Sequence, residues 1–361
     1  MRVALTAGGT GGHIFPALAV YDALAAQGGV EAVRFFGPDR RGERSLVASR
    51  GVGFETVDAA AVRGRGPFAL AKSLVRLCAG TIAATRRLRA FQPDVVFSTG
   101  GYASFPASLA ARLLRRPLVV YLPDVTPGWA VRVEKRLATR MATTAEAALD
   151  HLPRGKTVVT GYPVRAAFFE MTRAQARDLL NIAAGEKVLL VAGASQGSQT
   201  LNRALFDALP KLTEQVAVFH VTGKADFPEA ERLRDELSAA KHRYVPSDFR
   251  DDLPTVMLAA DLGVMRAGAS TLGELPAASL PAVMIPGTFA GGHQRDNAAW
   301  LATEGAAVVV DERHIATLAE RALALLEDEA KLTAMREAAG RLAVPDAAAR
   351  IAALVREVAQ R

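Results

Sequence analysis

The chain opens on an apolar run, Arg2-Val3-Ala4-Leu5-Thr6-Ala7. It passes through Gly8-Gly9-Thr10-Gly11-Gly12-His13 into Phe15-Pro16-Ala17-Leu18-Ala19-Val20. The run reads as a buried strand, the glycines as a tight loop and the last stretch as the start of a helix. This order constrains the fold more than any other feature, because strand, loop and helix in succession begin a parallel α/β layer. The glycines remove Cβ atoms where a ligand would approach the backbone. The helix N-terminus adds unpaired N–H groups and a positive dipole end, a setting suited to phosphate. No Gly-Lys-Ser/Thr follows, so this is not a Walker loop, and Ile14 stands where a dinucleotide fingerprint needs its third glycine. His13 at the loop's edge is a candidate base. The plain alternative is a tight turn beside a solvated histidine.

The alternation continues along the chain. Strands are expected near 2–7, 32–36, 54–57, 94–98, 117–121 and 157–160, with helices near 15–27, 43–50, 67–91, 103–114 and 128–137. Gly161-Tyr162-Pro163-Val164 marks a domain boundary. The order then restarts: strand Lys187–Ala192, a small-residue loop from Gly193 to Gln199, and a helix from Thr200. Further strands are expected near 216–221, 242–245, 261–265, 281–285 and 306–310. A chain of 361 residues suits two domains. We divide it into 1–162, 163–344 and a terminal helix 345–361 expected to pack back on the first domain. Two Rossmann-like domains facing a cleft would put every candidate loop at the carboxyl end of a strand, where open α/β sheets bind ligands.

Composition removes several classes. One cysteine, Cys78, gives neither a disulfide framework nor a cysteine zinc site and fits a reducing cytosol. The first strand follows Met1 at once, so no signal peptide is expected. No uncharged apolar run reaches the length of a membrane span, about 18 residues. The net charge of +7 is concentrated: residues 59–93 hold seven basic side chains and no acid. These are Arg63, Arg65, Lys72, Arg76, Arg86, Arg87 and Arg89. Phe68, Ala71, Val75, Cys78 and Ile82 recur there at helical spacing. A basic amphipathic helix attracts anionic headgroups, with Lys72, Arg76, Arg86 and Arg87 as the contacts. The alternative is a core helix with a solvated basic face. Nucleic acid is a poor third, because Phe68 and Phe91 are too few aromatics for base stacking.

Other stretches carry chemistry. Ser195 and Ser198 lie in the second glycine loop and offer hydroxyls to a diphosphate. Arg266-Ala267-Gly268-Ala269-Ser270-Thr271-Leu272-Gly273-Glu274 reads as strand end, turn and helix start. Glu274 could accept both hydroxyls of a ribose, or serve only as an acid favoured at a helix N-terminus. Gln294 and Asn297 could bind sugar hydroxyls or merely cap a helix. Gly100-Gly101-Tyr102 forms a further glycine loop, and Arg165 follows the boundary.

In this order the stretches resemble the MurG family, the peptidoglycan N-acetylglucosaminyltransferases of glycosyltransferase family 28, over nearly the whole chain. The resemblance rests on Gly8–His13, Pro16–Val20, Pro93-Asp94-Val95-Val96 with Gly100-Gly101-Tyr102, and Pro163-Val164-Arg165. It rests further on Ser195-Gln196-Gly197 with Leu201-Asn202, Arg266-x-Gly268-Ala269 with Glu274, and His293-Gln294-x-x-Asn297-Ala298. It implies a GT-B enzyme, peripheral on the cytoplasmic face of the plasma membrane, serving cell-wall synthesis, shape and division. The donor would be UDP-N-acetylglucosamine and the acceptor lipid I, an undecaprenyl-diphosphate-linked muramyl pentapeptide. By the same resemblance Thr10, Gly11 and Gly12 touch the donor. Arg165, Ser195, Ala269, Ser270, Thr271, Leu272, Gly273, Glu274 and Gln294 hold nucleotide and sugar, with Glu274 on the ribose. The backbone at Phe249 and Arg250 reads the base, while Gly100, Gly101 and Tyr102 face the acceptor.

The chain departs from the family pattern after the strand at 117–121. Where the family has His-Glu-Gln-Asn, this sequence has Leu122-Pro123-Asp124-Val125. Val125 supplies no amide, so Asp124 is the expected substitute at the sugar and the alternative base to His13. Tyr162 replaces an Asn and Ala267 a Ser. A related enzyme for another UDP-sugar or lipid is the second reading. Glycosyl transfer needs a base for the acceptor hydroxyl and stabilisation of the departing diphosphate. A neutral imidazole suits the first near pH 7, and loop N–H groups with Arg165 suit the second. No Asp-x-Asp ends a strand, and Glu327-Asp328-Glu329 is expected on a surface helix, so neither an obligatory metal nor a cofactor is expected. Two rivals remain: a nicotinamide-dependent dehydrogenase, whose fingerprint is incomplete, and a catalytically dead membrane-binding protein.

Overall fold

The computed structural model describes residues 1–8, 11–40, 42–59, 67–193, 197–238, 243–287 and 292–360. The chain divides into two compact units, Met1–Val164 with Asp346–Arg361, and Arg165–Pro345. In the first, the strands are β1 Arg2–Thr6, β2 Ala32–Gly37, β3 Gly53–Thr56, β4 Val95–Ser98, β5 Leu118–Leu122, β6 Arg140–Thr143 and β7 Thr157–Val159. They form one sheet in the order β3-β2-β1-β4-β5-β6-β7. In the second, β8 Val188–Ala192, β9 Ala217–Val221, β10 Tyr244–Ser247, β11 Leu262–Met265, β12 Ala282–Met284 and β13 Ala307–Val309 run in the order β10-β9-β8-β11-β12-β13. Every pairing is parallel.

The sequence explains this directly. A parallel sheet covered by helices on both faces is buried throughout, so its strands read as continuous apolar runs rather than alternating ones. Leu118–Leu122 and Val188–Ala192 are buried at every position. Strand order reverses between β1 and β4 in one unit and between β8 and β11 in the other. These switch points, at the carboxyl ends of the strands, are where such sheets open a crevice for ligands.

Several sequence expectations shift. The strand Arg140–Thr143 was not expected: four residues beginning with an arginine carry too little apolar signal. The strand expected at 242–245 lies at Tyr244–Ser247. Glu327, Asp328 and Glu329 do not share one helix. Glu327 ends Leu318–Glu327, and the Asp328 carboxylate accepts the Lys331 N–H to begin Glu329–Arg341. The terminal helix Ala347–Ala359 belongs to the first unit and packs on helix Gly11–Ala26. There Arg356 donates to the Leu24 carbonyl and to Gln27 Oε1, each at 2.9 Å.

In the basic helix Pro67–Phe91 the core-helix alternative fails, because its stripe Val75, Cys78 and Ile82 does not face the core. Val75 is 68% and Ile82 55% exposed, and Leu74 and Cys78 are also exposed. The buried face is instead Ser73, Gly80, Thr81, Ala84, Leu88 and Phe91. Arg63 and Arg65 lie outside the described residues. Among the described residues no helix is long and apolar enough to cross a membrane.

Candidate functional site

In the first unit the loop after β1 meets the loop after β4 backbone to backbone. A Cβ on Gly8 would fall 3.1 Å from Gly101 Cα, and one on Gly101 would fall 2.7 Å from Gly8 Cα. Gly101 also has φ +87°, a conformation that favours glycine. These two glycines therefore close the switch point. Gly12 differs: a Cβ there would meet nothing within 4 Å. Helix Gly11–Ala26 begins inside the loop, and His13 sits on its first turn, half-buried. His13 Nδ1 lies 3.0 Å from the Thr99 carbonyl oxygen, and Thr99 Oγ1 donates back to the His13 carbonyl at 2.7 Å. A carbonyl only accepts, so in the neutral ring the proton sits on Nδ1 and Nε2 keeps its lone pair. That is the form a proton acceptor needs. Gly100 and Tyr102 share the Thr99 turn, and the Tyr162 hydroxyl donates to the Gly12 carbonyl at 3.2 Å. Asp124, half-buried, and Val125, 7% exposed, follow the neighbouring strand β5.

The second unit bridges its switch point with charge. Arg266, at the end of β11 and 4% exposed, donates from Nε and Nη2 to Ser198 Oγ at 3.0 and 2.8 Å. It also reaches the Ile285 carbonyl and pairs with Glu312. Because Ser198 Oγ accepts both bonds, its own proton is turned away from Arg266. Glu274 lies on the first turn of helix Thr271–Ala277. Burial pushes its carboxyl above the ordinary range, offset by a hydrogen bond with Ser270 and the charge of Arg165. Arg165 donates to the Asp251 carbonyl at 2.9 Å. Arg250 clasps Asp252 at 2.8 and 2.6 Å, holding that carboxyl below its usual range, with Arg165 adding to the effect.

Several residues are placed differently from a simple list of ligand contacts. The N–H groups of Thr271, Leu272 and Gly273 bond to carbonyls three residues back, and the Thr271 and Leu272 side chains are buried. The half-exposed backbone at Gly268, Ala269 and Ser270 and the Glu274 carboxyl are what that stretch presents. The Phe249 N–H is taken by Asp248 at 2.8 Å, while its ring is exposed. Gln294 Oε1 accepts the Gly287 N–H at 2.8 Å, so its amide nitrogen is the end turned to other partners. Asn297 is fully buried and donates to the Ala267 carbonyl at 3.1 Å, tying its helix to the loop after β11. Thr10 and Ser195 lie outside the described residues. Among the described residues no group of three His, Cys, Asp or Glu could hold a metal.

Comparison with known proteins decides the family. The model of the glycosyltransferase family 28 N-terminal domain matches residues 3–143, and that of the C-terminal domain matches residues 188–351. The chain belongs to glycosyltransferase family 28. A UDP-N-acetylglucosamine–N-acetylmuramyl-(pentapeptide) pyrophosphoryl-undecaprenol N-acetylglucosamine transferase of Roseiflexus sp. RS-1 is 36% identical over 98% of this chain and 94% of that protein. The transferase of the same name from Desulforudis audaxviator is 36% identical over 99% of each chain. The crystal structure of MurG from Acinetobacter baumannii superposes with a TM-score of 0.78 at 27% identity, covering 99% of both chains. The family 28 chain is thus a glycosyltransferase of GT-B fold, and the dehydrogenase reading falls.

Family 28 membership also sharpens what sequence reasoning missed. His220, on β9, is buried between Tyr244 Oη at 2.8 Å and Asn202 Oδ1 at 3.0 Å. Asn202 in turn donates to the Thr222 carbonyl at 2.8 Å and to Asp226 at 2.6 Å. Thr222 lies under Gly197: a Cβ on Gly197 would fall 2.0 Å from the Thr222 oxygen. This network lies under Gly197. Burial pushes the His220 imidazole down to about 3, so it is neutral. The signal was Asn202 within the family motif; nothing in the sequence pointed to its partner on another strand.

Proposed function

We propose that this transferase moves N-acetylglucosamine from UDP-N-acetylglucosamine to the muramyl C4 hydroxyl of lipid I, forming lipid II with inversion at the anomeric carbon. The observation that carries the reading is identity of 36%, over nearly the full length, to transferases named for that reaction. The acceptor oxygen attacks the anomeric carbon, the bond to the UDP oxygen breaks, and the hydroxyl proton passes to His13 Nε2. The Nδ1–Thr99 bond supports this role. Diphosphate binding is assigned to the second unit, where Ser198 and Arg165 supply donors and Glu274 takes the ribose. Lipid I and the anionic cytoplasmic membrane surface are the proposed partners. The exposed Leu74, Val75 and Ile82 beside the exposed Lys72, Arg76 and Arg86 support membrane docking. Arg87 is a weaker candidate, since it bonds to Glu55 and the Thr56 carbonyl.

The test is UDP release by the purified protein with a panel of UDP-sugars and a lipid I analogue. Release that needs both UDP-N-acetylglucosamine and the analogue supports the reading. Release with a different sugar or lipid favours the second reading, for which Leu122-Pro123-Asp124-Val125 is the specific ground. Vesicle binding without release of UDP in any combination would mean the inactive alternative.

A further inference from the structure

One buried acid lies beneath the turn that holds His13, and the transfer step does not use it. Glu134, on helix Trp129–Leu137, is fully buried. Its Oε1 lies 2.9 Å from Ser104 Oγ and 3.4 Å from Ser98 Oγ. Its Oε2 has no hydrogen-bond partner among the described residues. The carboxyl is surrounded by the hydroxyls of Ser98, Ser104 and Ser108.

Burial raises the Glu134 carboxyl, offset by the hydroxyls of Ser108, Ser104 and Ser98, and so favours the protonated acid. Ser104 has one hydroxyl proton and two acceptors within reach, the Gly101 carbonyl at 2.8 Å and Glu134 Oε1. A carboxylate would draw that proton from Gly101 and bury a charge with no cation beside it, which is strongly unfavourable. A carboxylic acid donates to Ser104 Oγ and lets Ser104 donate onward to Gly101. Ser98 Oγ meanwhile accepts the Gly100 N–H at 3.1 Å. Both glycines of the turn are therefore held by serines that Glu134 organises. The residue just before them is Thr99, whose carbonyl faces His13 Nδ1.

We propose that Glu134 is a positioning residue: as a carboxylic acid it donates through Ser104 to pin the Gly100–Gly101 turn, and so the Thr99 carbonyl that fixes the tautomer and orientation of His13. The proposal rests on the reading of His13 as the base. Glu134 touches no substrate. Its effect is transmitted through one loop.

The experiment compares Glu134→Ala, Glu134→Gln, His13→Ala and the His13→Ala/Glu134→Ala double variant of the full chain. UDP release with the lipid I analogue gives kcat, calorimetry gives UDP affinity, and ¹⁵N imidazole spectra, assigned with His13→Ala, report the His13 tautomer. Misplacing a catalytic group by about 1 Å costs roughly 10²-fold, so Glu134→Ala should lower kcat by about that factor with UDP affinity unchanged. Glu134→Gln, whose amide can still donate to Ser104, should stay within about threefold of the parent. Once His13 is gone, Glu134→Ala should cost nothing further, because residues acting through one group are not additive. The His13 spectrum should lose its single Nδ1–H form in Glu134→Ala and keep it in Glu134→Gln. If Glu134→Ala does not fold, Ser104→Ala cuts the same relay. The proposal is overturned if Glu134→Gln is as impaired as Glu134→Ala, if the losses add, or if the His13 spectrum does not change. An unimpaired His13→Ala would refute the base instead, leaving the spectrum to judge the positioning.

Discussion

Each unit reverses strand order between its first and fourth strands, yet the two switch points are finished with opposite chemistry. In the first, Gly8 and Gly101 abut without side chains, and the polar group at the edge is an imidazole tied to a carbonyl. In the second, the loops after β8 and β11 are joined by the guanidinium of Arg266 on Ser198, balanced by Glu312. Arg165 and Glu274 add a further cation and acid nearby. Topology locates a binding crevice, but it does not choose the ligand. A neutral lone pair suits removal of a hydroxyl proton. Fixed cations and hydroxyl donors suit a diphosphate that gains charge as it leaves.

The sharpest way to break this comparison is to remove the imidazole. His13→Ala should lower kcat by roughly 10²–10⁴, the usual range for a general base. UDP affinity should hardly move, because the nucleotide is assigned to the second unit. A fall below tenfold would make His13 structural. Asp124→Ala is then the matching variant, since Asp124 is the alternative base to His13. Next in size is the proposed membrane face, which lies on the first unit. Replacing Lys72, Arg76 and Arg86 with Gln removes about 1 kcal/mol each near an anionic surface. Binding to phosphatidylserine-containing vesicles should weaken by about 10² at low salt and less at high salt. Arg87→Gln, by contrast, should leave vesicle binding nearly unchanged. Equal loss from Arg87→Gln would mean that its bonds to β3 open at the membrane.

On the second unit, Glu274→Ala should weaken UDP by about 2 kcal/mol, the scale of hydrogen bonds to a charged acceptor. Calorimetry with UDP and 2′-deoxy-UDP checks it: the parent should discriminate between them and the variant should not. Unchanged UDP affinity removes Glu274 from the ribose.

The doubly wound plan was legible because strands buried on both faces leave short apolar runs between glycine loops, as at Val188–Ala192. The carriers of chemistry were legible where they lie next to those loops, as His13 and Glu274 do. The orientation of helix Pro67–Phe91 was not. Periodicity tells which residues share a face, not which face a neighbour covers. The core approaches through small residues: a Cβ on Gly80 would fall 2.1 Å from the Asp58 carbonyl oxygen. That close approach leaves the larger Val75 and Ile82 outside. Glu134 and His220 were also hidden, since each is a single polar residue whose partners lie on elements distant in sequence.

Those two hidden groups give the smallest and most specific test, because their own contributions to the two units change with pH in opposite senses. An unfolded His gains its proton below about pH 6.5, whereas folded His220 stays neutral down to about 3. Between those values the unfolded chain binds more protons. The His220 contribution is therefore complete above the unfolded value and is lost as pH falls, by at most about 1.4 kcal/mol per pH unit. Glu134 is the mirror case. Burial raises its carboxyl, so the folded state keeps a proton that an unfolded Glu gives up above about pH 4.3. Its contribution is complete below that value and is lost as pH rises. The chain holds two tryptophans, Trp129 in the first unit and Trp300 in the second, so single-tryptophan variants can follow each unit by fluorescence. Urea midpoints followed between about pH 4.5 and 6.5 should show the acid loss at Trp300 flattened by His220→Gln. The alkaline loss at Trp129 should be flattened by Glu134→Gln. If His220→Gln leaves the acid slope at Trp300 unchanged, the neutral network under Gly197 is not what titrates. The contrast between the two loop supports would then rest on geometry alone.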